Sequence, residues 1–141
     1  MDILRLVDSL VRKYNTRNPF EIINNLNVIV VFYPLKGVKG FYQYFQRNNI
    51  IYIDNNLSEA EQKVVCAHEL GHMFLHKKCN AIFMDSRTHF VTNKYENEAN
   101  TFAAELLIPD SIILENPGMT KNQIARLTGY DEKIMEFKHY N

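Results

Sequence analysis

Hydrophobic and polar positions follow periods that predict helices at both ends of the chain and a small sheet between them. Residues 2–14 carry apolar side chains at helical spacing with charges in between, which is typical of an amphipathic helix. Asn18 and Pro19 suit the N-cap and first position of a short helix that reaches Leu26. Segments rich in β-branched and aromatic residues then predict three strands, at 28–33, 41–45 and 50–53.

The second half of the chain has the period of helices. Ser58 and Glu61 form a capping box that opens the first of these helices, and Thr120 and Gln123 form another, closed by Gly129. Further helices are predicted at 95–107 and 131–139, and residues 77–93 are predicted to be irregular. Asn48-Asn49 is a tight-turn signal between the second and third strands. We therefore expect one α+β domain over residues 1–141, with a three-stranded antiparallel sheet packed against the helices.

Charge and composition narrow the function classes. Lys plus Arg and Asp plus Glu each number 16, so the chain lacks the net charge typical of proteins that bind nucleic acid or acidic membranes. No stretch approaches the roughly 18 apolar residues of a membrane span. The N-terminus has Asp2, Arg5 and Asp8 where a signal peptide needs an apolar core, and Cys66 and Cys79 are too few for a disulfide framework. We expect a cytoplasmic protein with no membrane partner.

The candidate chemistry lies in His68-Glu69-Leu70-Gly71-His72. Residues four apart share one face of a helix, so the two imidazoles could converge on one zinc ion. Glu69 is rotated about 100° from His68, so it could border the metal as a general base without binding it. The alternative is an ordinary helix with two surface histidines and a solvated glutamate. The capping box at the start of the same helix and the apolar flanks favour the metal site.

A catalytic zinc needs a third protein ligand. His76 continues the series, but it lies about 12 Å along the helix from His68, so a regular helix cannot bring it to the same ion. We expect a histidine at the C-terminus of the helix or at the rim instead. In the downstream helix Glu96 and Asn100 lie four apart, so one could bind the metal while the other holds a ligand histidine. Glu98 and Glu105 lie at other phases of this helix and are expected to be solvated.

HELGH at 68–72 followed by ENEANTFAAELLIP at 96–109 resembles the ImmA/IrrE family of metallopeptidases, whose pattern is HExxH and then ExxA[ND]xFAxxLLxP. Residues 40–67 are similar to the strand-turn-strand segment that precedes HExxH in that family, and the resemblance extends over residues 20–138. It implies a zincin-like fold and a gluzincin-type zinc site. His68, His72 and Glu96 would be the ligands, Glu69 the base, and Glu98 the second choice for the third ligand. Asn100 stands where the family pattern also allows Asp.

The resemblance also implies a substrate class. Family members are typically proteins of bacteria or mobile elements that cleave a helix-turn-helix repressor. The oxyanion donor is open, with Tyr95, His89 and His76 as candidates. The substrate is expected to bind as an extended strand along the edge of the hairpin at 41–53. The segment 77–93 contains the apolar residues Phe83, Met84 and Phe90. They suggest either a small satellite core or a docking surface.

Two competing functions come from other classes. Residues 120–138 have the Ala125 and Gly129 spacing of a helix-turn-helix, which would suit a DNA-binding regulator, but the stretch is barely basic. A protein-interaction module with a non-catalytic metal site is the other possibility. Glu69 argues against it, because a purely structural zinc site needs no base.

Overall fold

A computed structural model describes residues 2–76 and 89–139, without the side chains of residues 89–92, and gives the helices and strands of this part of the chain. Helices α1 and α2 precede three strands, and four further α-helices and one 3₁₀ helix follow them. Their bounds are α1 Ile3–Tyr14, α2 Pro19–Asn24, β1 Val28–Tyr33, β2 Gly40–Phe45, β3 Asn48–Asp54, α3 Glu59–His76, α4 His89–Leu107, α5 Asp110–Glu115, α6 Lys121–Thr128 and a 3₁₀ helix Glu132–Glu136. The α+β class predicted from the sequence is confirmed.

The predicted helix caps are present. The Asn18 side chain accepts a hydrogen bond from the Phe20 amide, and Ser58 accepts one from the amide of Glu61. Thr120 and Gln123 form the reciprocal capping box, and Gly129 ends α6 with a φ of 87°. These bonds satisfy amide groups that helix ends otherwise leave without partners, which explains why the helix starts could be read from the sequence.

The sheet is mixed, so the prediction of an all-antiparallel sheet is wrong in this detail. The strand order is β1-β3-β2, with β1 parallel to β3 and β2 antiparallel to β3. Strand β3 thus lies between two strands that are neighbours in sequence. Hydrophobic alternation specifies which face of a strand is buried but not which strand lies beside it.

The hairpin between β2 and β3 turns at Gln46 and Arg47 rather than at the predicted Asn48-Asn49. Gln46 has a φ of 49° and Arg47 a φ of 66°, the positive values that a two-residue hairpin turn of the favoured hand requires. Asn48 instead pairs with Phe45, and its side-chain amide donates to the Gln46 carbonyl. The asparagine therefore stabilises the turn from the adjoining strand position.

Helix α3 packs on one face of the sheet and against α4. Tyr42, Ile51 and Ile53 supply the buried side of the sheet. Gly40 permits the close approach of α3, because a Cβ at this position would lie 2.4 Å from the Val65 side chain and 2.6 Å from a backbone carbonyl oxygen of β3. This packing fixes α3, the helix that carries HELGH, against β2.

The C-terminal part differs from its prediction in two elements. Helix α5 was not predicted, and the last predicted helix, 131–139, is a 3₁₀ helix of 5 residues whose Ile134 and Met135 are buried. A helix-turn-helix needs a second α-helix that can enter the major groove. The described residues of this segment do not provide one. Within the described chain, no helix is both long and apolar enough to cross a membrane.

Glu105 is buried, which corrects the prediction that it is solvated. Its carboxylate accepts hydrogen bonds from the Lys138 ammonium at 2.7 Å and from the His139 amide at 2.6 Å. Lys138 also pairs with Asp110, whose side chain is 76% exposed. The C-terminal segment covers the face of α4 that helix phase alone assigns to solvent.

We expect Lys138→Met to lower the free energy of unfolding by about 3–5 kcal/mol, because it leaves the buried Glu105 carboxylate without a counter-charge. Urea denaturation would measure this loss. The double variant Lys138→Met/Glu105→Leu should recover most of it, whereas Asp110→Ala should have little effect because that carboxylate is exposed. A Lys138→Met variant as stable as the native protein would contradict the assignment of this ion pair.

Candidate metal centre

Helices α3 and α4 run antiparallel and bring three side chains together. His68 Nε2 lies 2.9 Å from one carboxylate oxygen of Glu96, and His72 Nε2 lies 3.0 Å from the other. The two imidazole Nε2 atoms are 3.2 Å apart. His68, His72 and Glu96 each offer one ligand atom, and these atoms lie within 4.8 Å of one another, so the group could hold a metal ion.

Asn100 orients the first histidine. Its side-chain oxygen lies 2.7 Å from His68 Nδ1. Because an amide oxygen only accepts hydrogen bonds, His68 Nδ1 must carry the ring proton in the neutral imidazole, which leaves the Nε2 lone pair facing Glu96 and His72. A cation fits among these converging acceptor atoms, and two imidazoles with one carboxylate form a donor set that suits zinc.

The electrostatics of the cluster are those of a cation site. Burial raises the pKa of Glu96, but contact with the His68 and His72 imidazoles lowers it more, so the carboxyl pKa lies far below its usual value. Burial lowers the pKa of His68, but the hydrogen bond to Glu96 and the charges of Glu69 and Glu96 outweigh it and raise the pKa. The cluster thus keeps an ionised carboxylate and favours added positive charge.

Glu69 lies beside this group but is not part of it. Its Oε2 is 3.8 Å from His68 Nε2, and its side chain is 8% exposed. Burial raises the pKa of Glu69, while the charges of His68 and His72 and, least of these, a contact with the Tyr42 backbone oppose the rise. The backbone of strand β2 therefore borders the carboxylate, a contact that no side-chain pattern in the sequence could indicate.

His76 is the last residue of α3, as one of its two predicted positions requires, but it is buried and not at the rim. Its Nδ1 lies 3.0 Å from His72 Nδ1, and its Nε2 lies 3.1 Å from Glu98 Oε1. Its ring packs against that of Tyr95 at an angle of 34°, with centroids 4.3 Å apart. Glu98 is accordingly a partner of His76 as well as a partly exposed carboxylate. The sequence signal was the third histidine at a spacing of four.

The structure describes the side chains of two of the three candidate oxyanion donors, His76 and Tyr95. Both ring nitrogens of His76 are engaged, so this ring has no free donor, and Tyr95 packs against it. The side chain of His89 lies outside the described residues. Residues 89–93, predicted to be irregular, belong to α4. Phe83 and Met84, and the side chain of Phe90, also lie outside the described part of the chain.

Cys66 lies in the core. The residue is a fully buried free cysteine, and burial raises the pKa of its thiol well above the usual range. A thiol in this state is a poor nucleophile and a poor metal ligand. Cys79, which follows α3, lies outside the described residues.

Comparison with known proteins identifies the class. Residues 23–138 match the profile of peptidase family M78, described as the IrrE N-terminal-like domain, and the chain belongs to this family. It is 43% identical over 135 residues to uncharacterized immunity region protein 2 of Bacillus phage phi105, covering 94% of this chain and 85% of that protein. It is 30% identical over 138 residues to metallopeptidase ImmA of Bacillus subtilis (strain 168), covering 94% and 80%.

Proposed function

We propose that this protein is a zinc-dependent endopeptidase that cleaves a helix-turn-helix repressor of a bacterial mobile element. The observation that carries the proposal is the convergence of His68, His72 and Glu96 beside the buried Glu69, in a chain of a peptidase family. An immunity region protein and a metallopeptidase among its relatives support the same reading.

The three convergent side chains are the proposed zinc ligands, and Asn100 fixes the tautomer of His68. Bound zinc would supply the Lewis acidity that activates water and polarises the scissile carbonyl. Glu69 takes the proton from the attacking water and passes it to the leaving amine. Its burial excludes bulk water from this transfer, and the Tyr42 backbone borders the carboxylate.

The substrate binds as an extended strand along the outer edge of β2, which pairs with no further strand among the described residues. This strand is at the edge of the sheet, and the backbone of its central Tyr42 borders Glu69. An added strand would satisfy the remaining backbone groups of that edge while its peptide bond lies next to the candidate metal site. A non-catalytic metal module leaves the burial of Glu69 unexplained.

The substrate proposal predicts a single cut. Zinc-loaded protein should cleave the repressor encoded next to its gene at one position and leave casein intact, because one small domain has few surfaces for generic recognition. Mass spectrometry of both digests would measure this, with zinc-stripped protein as the control. Cleavage of casein at many positions would indicate a general peptidase, and failure to cut either protein would contradict the peptidase assignment.

A further inference from the structure

A chain of hydrogen-bonded side chains leads away from the candidate metal centre on the side opposite Asn100. His72 Nδ1 lies 3.0 Å from His76 Nδ1, and His76 Nε2 lies 3.1 Å from Glu98 Oε1. His72 and His76 are 6% and 5% exposed, so solvent competes little for these bonds. Glu98, the last member, is one-third exposed at its side chain, so the chain of hydrogen bonds ends at the protein surface.

Metal binding fixes the direction of every bond in this chain. A ligand His72 must present the Nε2 lone pair, so its proton lies on Nδ1 and is donated to His76 Nδ1. His76 then accepts through Nδ1 and carries its own proton on Nε2, which it donates to the Glu98 carboxylate. The opposite direction would place a proton on His72 Nε2 and prevent ligation.

We propose that His76 and Glu98 form a positioning relay that holds His72 in the tautomer and orientation needed to bind the metal. Asn100 does the same for His68 with a single contact, so the two histidine ligands are supported from different directions. The Tyr95 ring packs against the relay ring of His76 at an angle of 34° and restricts its rotation. This inference rests on the proposed metal site and assigns a role to two residues outside the ligand set.

These contacts also explain why a histidine suits position 76. The residue must accept a hydrogen bond on one side, donate on the other and pack against the Tyr95 ring. Neutral imidazole has one acceptor nitrogen and one donor nitrogen, so it connects a donor to a carboxylate.

The test compares two substitutions at position 76. His76→Leu keeps apolar bulk but cannot accept from His72, whereas His76→Asn can place its amide oxygen near the former Nδ1. We expect zinc affinity, measured by competition with a chromophoric chelator, to fall about 10- to 100-fold in the leucine variant and to be largely restored in the asparagine variant. The d–d absorption of bound Co²⁺ should shift in the leucine variant only.

A double-mutant cycle separates the relay from an effect of charge alone. Glu98→Ala should weaken zinc binding of the native chain by about tenfold and have no further effect in the His76→Leu background, because Glu98 acts through His76. Equal effects in both backgrounds, or a His76→Leu variant with native affinity, would overturn the proposal. Thermal unfolding of the zinc-stripped variants establishes that each one is folded.

These outcomes differ from a failure of the proposed function. If the native protein binds neither zinc nor Co²⁺, the metal site itself is wrong. If the native protein binds metal and His76→Leu binds it equally well, only the relay is wrong. If His76→Leu does not fold, the native protein is compared with His76→Asn and Glu98→Ala instead. We then expect near-native zinc binding by His76→Asn and about tenfold weaker binding by Glu98→Ala. Equal affinities in all three proteins would refute the relay.

Discussion

Replacement of Glu69 by glutamine should abolish repressor cleavage while zinc binding and folding stay intact. Glutamine matches glutamate in shape and can keep the contact with the Tyr42 backbone, but its amide cannot take a proton from water. Loss of a general base lowers rates by about 10²- to 10⁴-fold. Cleavage followed over time by mass spectrometry, with zinc content measured on the same samples, would give this result.

The matched control is Glu59→Gln, which makes the same chemical change at an exposed position of the same helix. Its activity should equal that of the native protein. A Glu69→Gln variant that keeps more than about a tenth of the native rate would exclude Glu69 as the base. Loss of zinc from this variant would instead indicate that Glu69 belongs to the ligand set.

Substitution of the two glutamates of α4 should have very different effects on zinc binding. Glu96→Ala should lose zinc, because its carboxylate contacts both histidines of the cluster and two ligands alone bind zinc weakly. We expect the zinc affinity to fall more than about 100-fold. That loss exceeds what is typical for a residue that only supports a metal ligand. Glu98→Ala should still hold zinc at micromolar concentrations, because its expected loss is only tenfold.

Titration of both variants with zinc in the presence of a competing chelator would show the difference. The two substitutions remove the same chemical group two positions apart on one helix, so general effects on α4 should be similar. If Glu98→Ala loses zinc and Glu96→Ala keeps it, the ligand assignment on α4 is off by two residues.

The sequence predicted the elements that depend on local chemistry. Caps at Ser58 and Thr120 and the αL glycine at Gly129 act within one helix turn, so their residues indicate the helix ends directly. The position of β3 between β1 and β2 depends on contacts between distant segments, and no periodicity contains that information. The turn at Gln46 and Arg47 likewise uses residues that seldom adopt positive φ.

The candidate site, too, could be predicted from the sequence only in part. Helix spacing placed His68 and His72 on one face and made Glu96 and Asn100 candidates to meet them, and the structure brings these four together. Helix geometry also predicted that His76 does not bind the same metal ion as His68. It could not reveal that His76 turns back to His72, because that contact depends on side-chain orientation and on α4. The burial of Glu105 depends on the C-terminal segment in the same way.

The zinc content of the purified native protein, measured by inductively coupled plasma mass spectrometry beside His68→Ala and His72→Ala, decides whether these residues form a zinc site. We expect about one zinc per native chain and nearly none in either variant, since each variant keeps only two of the three ligands. A native protein without zinc, or variants that retain one zinc per chain, would refute the proposed site.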